Sequence, residues 1–154
     1  MDHQRAKTIL ISTIMHPPPI ITARSFDSIY TISMSMKKNE VSSIIITDKN
    51  GKQIGIITER DIVRRTIADG KDPNTTKATN IMSQPLITVK ANSNLFDAIE
   101  IMEKNNIRRL PIIKGNLIIG IVTVKDIIKY IHTENKDDHY FLKFMVRYRK
   151  YFEE

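Results

Sequence analysis

The chain repeats itself. Residues 55–63 read GIITERDIV and residues 120–128 read GIVTVKDII, so Gly, Thr and Asp recur at identical internal spacing. Upstream, MHPPPIIT at 15–22 matches MSQPLIT at 82–88, and VSSIIIT at 41–47 lies opposite IRRLPII at 107–113. The offset drifts from 67 at the methionines to 66 at the central strands and 65 at the glycines, which two small changes in loop length explain. Self-similarity at such a period signals a duplicated supersecondary unit. One copy of about 60 residues buries too little surface to be comfortable alone, so the two are expected to share a core.

Each copy reads as β-α-β-β-α. An extended apolar patch follows a proline (Ile20–Thr22, Leu86–Val89), and Ser25 and Ser93 stand where they can N-cap the helices that come next. After Ser93, Leu95, Ala98, Ile99 and Met102 recur at core spacing; the first copy presents Phe26, Ile29, Ile32 or Ser33, and Met36. Two strands follow in each, Ser42–Thr47 with Gln53–Ile57 and Arg109–Ile113 with Leu117–Val122, joined by turn signals at Asp48–Gly51 and Lys114–Asn116. A closing helix starts at Thr58 and again at Thr123. The chain's 28 isoleucines favour strands, and near-continuous Ile/Val strands imply burial on both faces. The expected fold is therefore α/β (α+β), with two repeats packed sheet to sheet about a pseudo-twofold axis. Residues 69–80, DGKDPNTTKATN, read as a polar linker with Gly70 and Pro73 as helix stops.

Composition narrows the function. With 154 residues and no cysteine, the chain has no disulfides, thiolate metal sites or cysteine nucleophiles. Its 24 basic against 17 acidic residues give +7, which permits phosphate-bearing partners without requiring them. No apolar run approaches the ~18 residues of a membrane span, and no secretory signal is read, so a cytoplasmic protein is expected. His3, His132 and His139 show no metal-ligand spacing. No phosphate-cradling glycine loop or nucleophile–base pair is present, and an enzyme is not expected.

The G-h-h-[ST]-x-x-D segment after a hairpin, paired with M-x-x-P-h-h-T upstream and present twice, resembles a tandem CBS-domain pair, or Bateman module. The resemblance covers residues 8–132, divided as repeat 1 (8–68), linker (69–80) and repeat 2 (81–132). It implies a regulatory module that binds adenosine-containing ligands such as AMP, ADP, ATP or S-adenosyl compounds in clefts between its repeats. It further implies a disc-like homodimer and an unidentified effector protein. The N-terminal stretch Thr8–Met15 would pack on the second repeat, as family entry segments do.

By the same resemblance, Asp61 and Asp126 would hold ribose hydroxyls, with Thr58 and Thr123 on ribose or phosphate. One cleft would combine Thr123, Lys125, Asp126 and Ile121 with Ile21, Val41, Ser42 and Ser43, and with Arg108 and Arg109 towards phosphate. The other would combine Thr58, Arg60, Asp61 and Ile56 with Ile87 and Ile107. Because Val41-Ser42-Ser43 replaces the Ile-Arg-Arg of the second repeat, the sites should be unequal and the Asp126 cleft the tighter. Read from the residues alone, Thr-x-x-Asp is also a capping-box pattern that satisfies helix donors by itself, and both roles can coexist. Arg64 and Arg65 read as a solvated helix face, and His16 as a solvent-facing residue in a rigid proline-rich entry.

Residues 139–152, HYFLKFMVRYRKYF, concentrate aromatics at helical spacing and are expected to form an amphipathic C-terminal helix. That helix would cover the protein's own core or dimer seam, or dock on a partner or an anionic surface. Two other functions stay open: a ligand-free oligomerisation scaffold, and a basic nucleic-acid-binding protein. Dispersed charge and the absence of a recognition motif weigh against the latter.

Overall fold

The structure, a computed structural model, describes residues 9–16, 20–134, 146 and 149. These fall into two compact units, one spanning Ile20–Ile87 and one formed by residues 9–16 together with Thr88 onwards. The expected C-terminal helix at 139–152 lies outside the described residues except for Val146 and Arg149.

The 20–87 unit contains β1 (Thr22–Arg24), α1 (Ile29–Asn39), β2 (Ser43–Thr47), β3 (Gln53–Thr58), α2 (Glu59–Ile62), a π-helical turn at Val63–Ile67, and α3 (Ala78–Ile81). Its sheet runs β1-β2-β3, with β1 parallel and β3 antiparallel to β2. The other unit repeats the plan with β4 (Val89–Lys90), α4 (Leu95–Asn105), β5 (Arg109–Lys114), β6 (Leu117–Thr123) and α5 (Val124–Glu134), in the order β4-β5-β6. Even the irregularities are duplicated: the register shifts at Ile46/Thr47 in one sheet and at Ile112/Ile113 in the other. Ile44, Ile45 and Ile46 are consecutive and fully buried, as the isoleucine-rich strands predict. Since successive strand residues point to opposite faces, both faces of β2 are covered.

The helices bury the faces that their spacing predicts. Leu95, Ala98, Ile99 and Met102 on α4 are buried, as are Ile29, Ile32 and Met36 on α1. Each large aliphatic among them contributes about 1.5–3 kcal/mol by leaving water. Phe26, expected in the core, instead precedes α1, is exposed and lies beneath the Arg24 guanidinium at 5.8 Å. The N-caps also differ from expectation. Ser25 is still engaged with the sheet through its N–H to Thr47 O (2.8 Å), so the helix starts a turn later, where Ser28 accepts from Thr31 N (3.1 Å). In the second repeat Ser93 closes a turn onto Lys90 O, and Asn94 next to it forms a capping box with Asp97. Both helices end on a left-handed residue, Glu40 (φ 53°) and Asn106 (φ 52°).

The stretch expected as a linker packs into the 20–87 unit. Thr76 O and Pro73 O accept from Ile29 N and Tyr30 N at 2.9 Å each, satisfying donors that a helix start leaves open. Ala78 and Ile81 on α3 join the core formed by Ile29, Ile32, Met36, Ile44 and Ile57. A polar composition hides these two apolar anchors.

The entry segments explain the repeated Met and Gly. Met15 and His16 run antiparallel to β6, and Met82 and Ser83 lie likewise against β3. A Cβ on Gly55 would stand 2.9 Å from both Met82 Sδ and Ser83 O; on Gly120 it would stand 2.7 Å from His16 O. Each methionine thus covers the glycine of the other sequence copy. Residues 9–11 complete this docking, with Leu95 N donating to Ile9 O and Ile11 N to Ser93 O, as expected for the entry segment; Thr8 lies outside the described residues.

Candidate functional site

Each hairpin's second strand runs directly into a helix, and the Thr-x-x-Asp segment forms that corner. At the first, Asp61 Oδ2 accepts from Thr58 N (2.9 Å) and Thr58 Oγ1 (2.9 Å), while Asp61 N donates to Thr58 Oγ1 (3.2 Å). At the second the corresponding distances between Thr123 and Asp126 are 2.7, 2.7 and 3.3 Å. The capping pattern is therefore realised in both copies. Its consequence is a carboxylate fixed in orientation: the side chains of Asp61 and Asp126 are only 14% and 15% exposed. The cap uses Oδ2 alone, so Oδ1 stands outside it. A carboxylate oriented in this way can accept from vicinal hydroxyls without losing its structural role.

Strand register brings the neighbouring candidates to the same corners. Ser43 pairs with Thr58, and Glu59 N donates to Ser42 O (3.1 Å). Arg109 pairs with Thr123, and Val124 N donates to Arg108 O (3.0 Å). One corner is thus flanked by two serines and the other by two arginines, all half-buried. Arg60 and Lys125 occupy exposed positions in the first turns of α2 and α5. Ile56 and Ile121, both half-buried, exchange backbone hydrogen bonds with Ser83 and His16 respectively. Of the remaining candidates, Ile21, Val41 and Ile87 are half-buried residues of the 20–87 unit, and Ile107 is a half-buried residue of the other.

Two residues read as solvated are engaged at these corners. Arg65 donates through Nη1 to Ile81 O (2.7 Å) and Ser83 Oγ (3.2 Å), and its Nη2 stands 3.5 Å from Asp61 Oδ1. His16 stands with Nδ1 3.1 Å from Asp126 Oδ2. The sequence signal was the alignment of the two entry segments, which places His16 opposite Ser83 directly after the methionine. The partner carboxylates became visible only once each segment was docked.

Among the described residues, no group of three or more His, Asp or Glu side chains could hold a metal ion. No described helix is long and apolar enough to cross a membrane.

The duplicated β-α-β-β-α plan, with a Thr–Asp corner in each copy, is the plan of a tandem regulatory-module class. The CBS-domain family model matches residues 11–67 and 78–133, and the chain belongs to that family as a tandem pair. Such pairs are generally regulatory and non-catalytic. The chain is 39% identical over 111 residues to an uncharacterised protein of Methanopyrus kandleri, covering 71% of this chain and 57% of that one. It is 32% identical over 116 residues to the mitochondrial CBS domain-containing protein CBSX3 of Arabidopsis thaliana, covering 73% and 56%. The chain thus spans just over half the length of these curated relatives. Among solved structures, a conserved protein from Pyrococcus horikoshii superposes with a TM-score of 0.75 at 24% identity, covering 88% of this chain and 98% of that one. A hexameric CBS-CP12 protein from bloom-forming cyanobacteria superposes with a TM-score of 0.73 at 26% identity, covering 84% and 77%.

Proposed function

We propose that this protein is a sensor of adenosine-containing ligands, with the ribose held at the Thr58–Asp61 and Thr123–Asp126 corners. The observation that carries this reading is the pair of oriented, mostly buried carboxylates, each with one oxygen outside its own cap. Hydroxyl donors are the natural complement of such an oxygen. At the second corner Arg108 and Arg109 supply the charge and planar geometry that a phosphate group favours. The first repeat carries Ser42 and Ser43 where the second carries these arginines, so the Asp126 site is the tighter one for a phosphorylated ligand. Ile21, Val41, Ile87 and Ile107 are the apolar residues assigned to the base. Binding regulates only to the extent that the ligand prefers one conformation, which it then populates.

The signal passes to a separate effector protein, and the sensing unit is a homodimer in the cytoplasm. Self-association is supported by exposed apolar side chains, Tyr30 and Met34 one turn apart on α1 and Phe26 just before it, each about half exposed at 52%, 48% and 52%.

Thermal unfolding against AMP, ADP, ATP, NAD, S-adenosylmethionine and GMP tests the reading. A ligand at 100 times its dissociation constant adds about 2.7 kcal/mol, or roughly 5–10 °C for a chain of this size. Shifts for adenosyl compounds but not GMP support the sensor. No shift with any of them, from protein shown to carry no co-purified nucleotide, leaves the ligand-free scaffold as the better reading.

A further inference from the structure

The unit formed by residues 9–16 and Thr88 onwards holds an open cavity of about 600 Å³ that shares no residue with the Asp126 corner. Its volume is that of a small-molecule site. Leu10, Ala91, Ile113 and Ile119 give it apolar walls, and Lys90 and Lys114 stand exposed at its mouth. The cavity lies where β5 ends, whereas the Asp126 corner lies where β5 begins, at Arg109. Five residue steps of strand separate Arg109 from Lys114, roughly 16 Å at the usual rise.

The register shift in this sheet shapes the cavity. Ile112 pairs with Gly120 and Ile113 with Ile118, so Ile119 is the extra residue of a bulge. A bulge re-aims the side chain that it carries. In the other sheet the corresponding residue, Ile54, packs against the core of its own unit, whereas Ile119 lines the cavity. The flanking turn differs as well. Arg24, Ser25 and Phe26 correspond to Lys90, Ala91 and Asn92, since Ser25 N donates to Thr47 O as Ala91 N donates to Ile113 O. Arg24 lies over the Phe26 ring, and Asp48, the counterpart of Lys114, closes its own hairpin turn by accepting from Asn50 N and Lys52 N. The second copy has neither the aromatic nor the acid. Of the nine residues that line the cavity, two are lysines and none is acidic. Among the described residues, neither ammonium group has a hydrogen-bond or ion-pair partner.

We propose that this cavity is a second binding site, separate from the two Thr–Asp corners, for a small amphiphilic anion: an apolar body with one carboxylate, sulfonate or phosphate end. The apolar walls supply the driving force, because burying such a body removes its surface from water. The two lysines decide the sign of the charged end. Like charges brought together are relieved by an anion and aggravated by a cation. Each ammonium is a point charge with three donors and no fixed fork, so it selects for charge rather than for one headgroup. The cavity lies in one unit alone and is independent of what the corners bind.

Octanoate is the probe, with octylammonium as the same chain of opposite charge and acetate as the same charge without the chain. Each is titrated, below the concentration at which such chains self-associate, into the full chain labelled at its isoleucine methyls. The Ile113 and Ile119 signals are followed by NMR. Octanoate should move both signals to saturation, and acetate and octylammonium should not. Joint replacement Lys90→Gln and Lys114→Gln should weaken octanoate about two- to tenfold, the range of exposed ion pairs. Asn92→Phe places the aromatic of the first copy at the cavity and should abolish the shifts while the other methyl signals stay in place. Failure of octanoate to move the two signals overturns the site, and so does wild-type affinity in Asn92→Phe. Equal affinity for octylammonium, or an unchanged affinity for octanoate in the double lysine variant, overturns the anionic class of ligand.

Discussion

Gly120 lies beneath His16 O and Met15 Sδ, so close that a Cβ there would stand 2.7 and 2.5 Å from them. The methionine side chain can move aside, but the carbonyl is fixed by the pairing of His16 with Ile121. Gly120→Ala is therefore expected to cost about 1–3 kcal/mol as an overpacked site. Gly55→Ala, facing Ser83 O at 2.9 Å, should cost a similar amount. Denaturant titration reads both, and a loss below the error of the extrapolation would contradict the close docking of the entry segments.

Asp126→Ala removes a cap and a proposed ligand contact together. Stability should fall by about 0.5–2 kcal/mol, the value of an N-terminal cap, while adenosyl ligands cease to raise the melting temperature through that site. Asp126→Asn keeps an acceptor for the Thr123 N–H and should recover much of the stability without recovering the ligand shift. If the two variants recover binding and stability in parallel, capping is the residue's whole role.

Thr66 is fully buried in the π-helical turn, and its hydroxyl finds no hydrogen-bond partner among the described residues. Valine matches its shape without the polar atom, so Thr66→Val should stabilise by about 1 kcal/mol. The check is a rise in melting temperature of roughly 2–4 °C. An unchanged or lowered temperature would mean that the hydroxyl is satisfied.

Glu40 and Asn106 occupy the same left-handed C-terminal position of α1 and α4. Asparagine tolerates that conformation better than glutamate. Glu40→Gly is thus expected to add about 0.5–1 kcal/mol, and Asn106→Gly distinctly less. Equal gains at the two positions would remove the backbone explanation.

Much of this molecule was legible from local signals. The duplication, the element order, the buried faces of α1 and α4 and both Thr–Asp corners could be read because each depends on residues a few positions apart. Periodicity and capping are properties of one segment and its nearest neighbours. The misplaced features depend on competition with distant partners. Ser25 stays bonded to the sheet rather than capping α1, because Thr47 O accepts its N–H. The polar stretch 69–80 hides Ala78 and Ile81, whose burial depends on a core assembled from elements elsewhere in the unit. His16 and Arg65 are exposed, as read, but their carboxylate and carbonyl partners appear only after docking.

The sequence by itself determined that there are two like units, each with a threonine–aspartate corner at the start of a helix. Only the tertiary structure decided which glycine each entry methionine covers, and therefore that Asp126 meets a histidine while Asp61 meets an arginine. The two entry segments are nearly interchangeable as strings. Their partners are chosen by where the chain can reach and by which strand has an open edge, and neither property resides in the segments themselves.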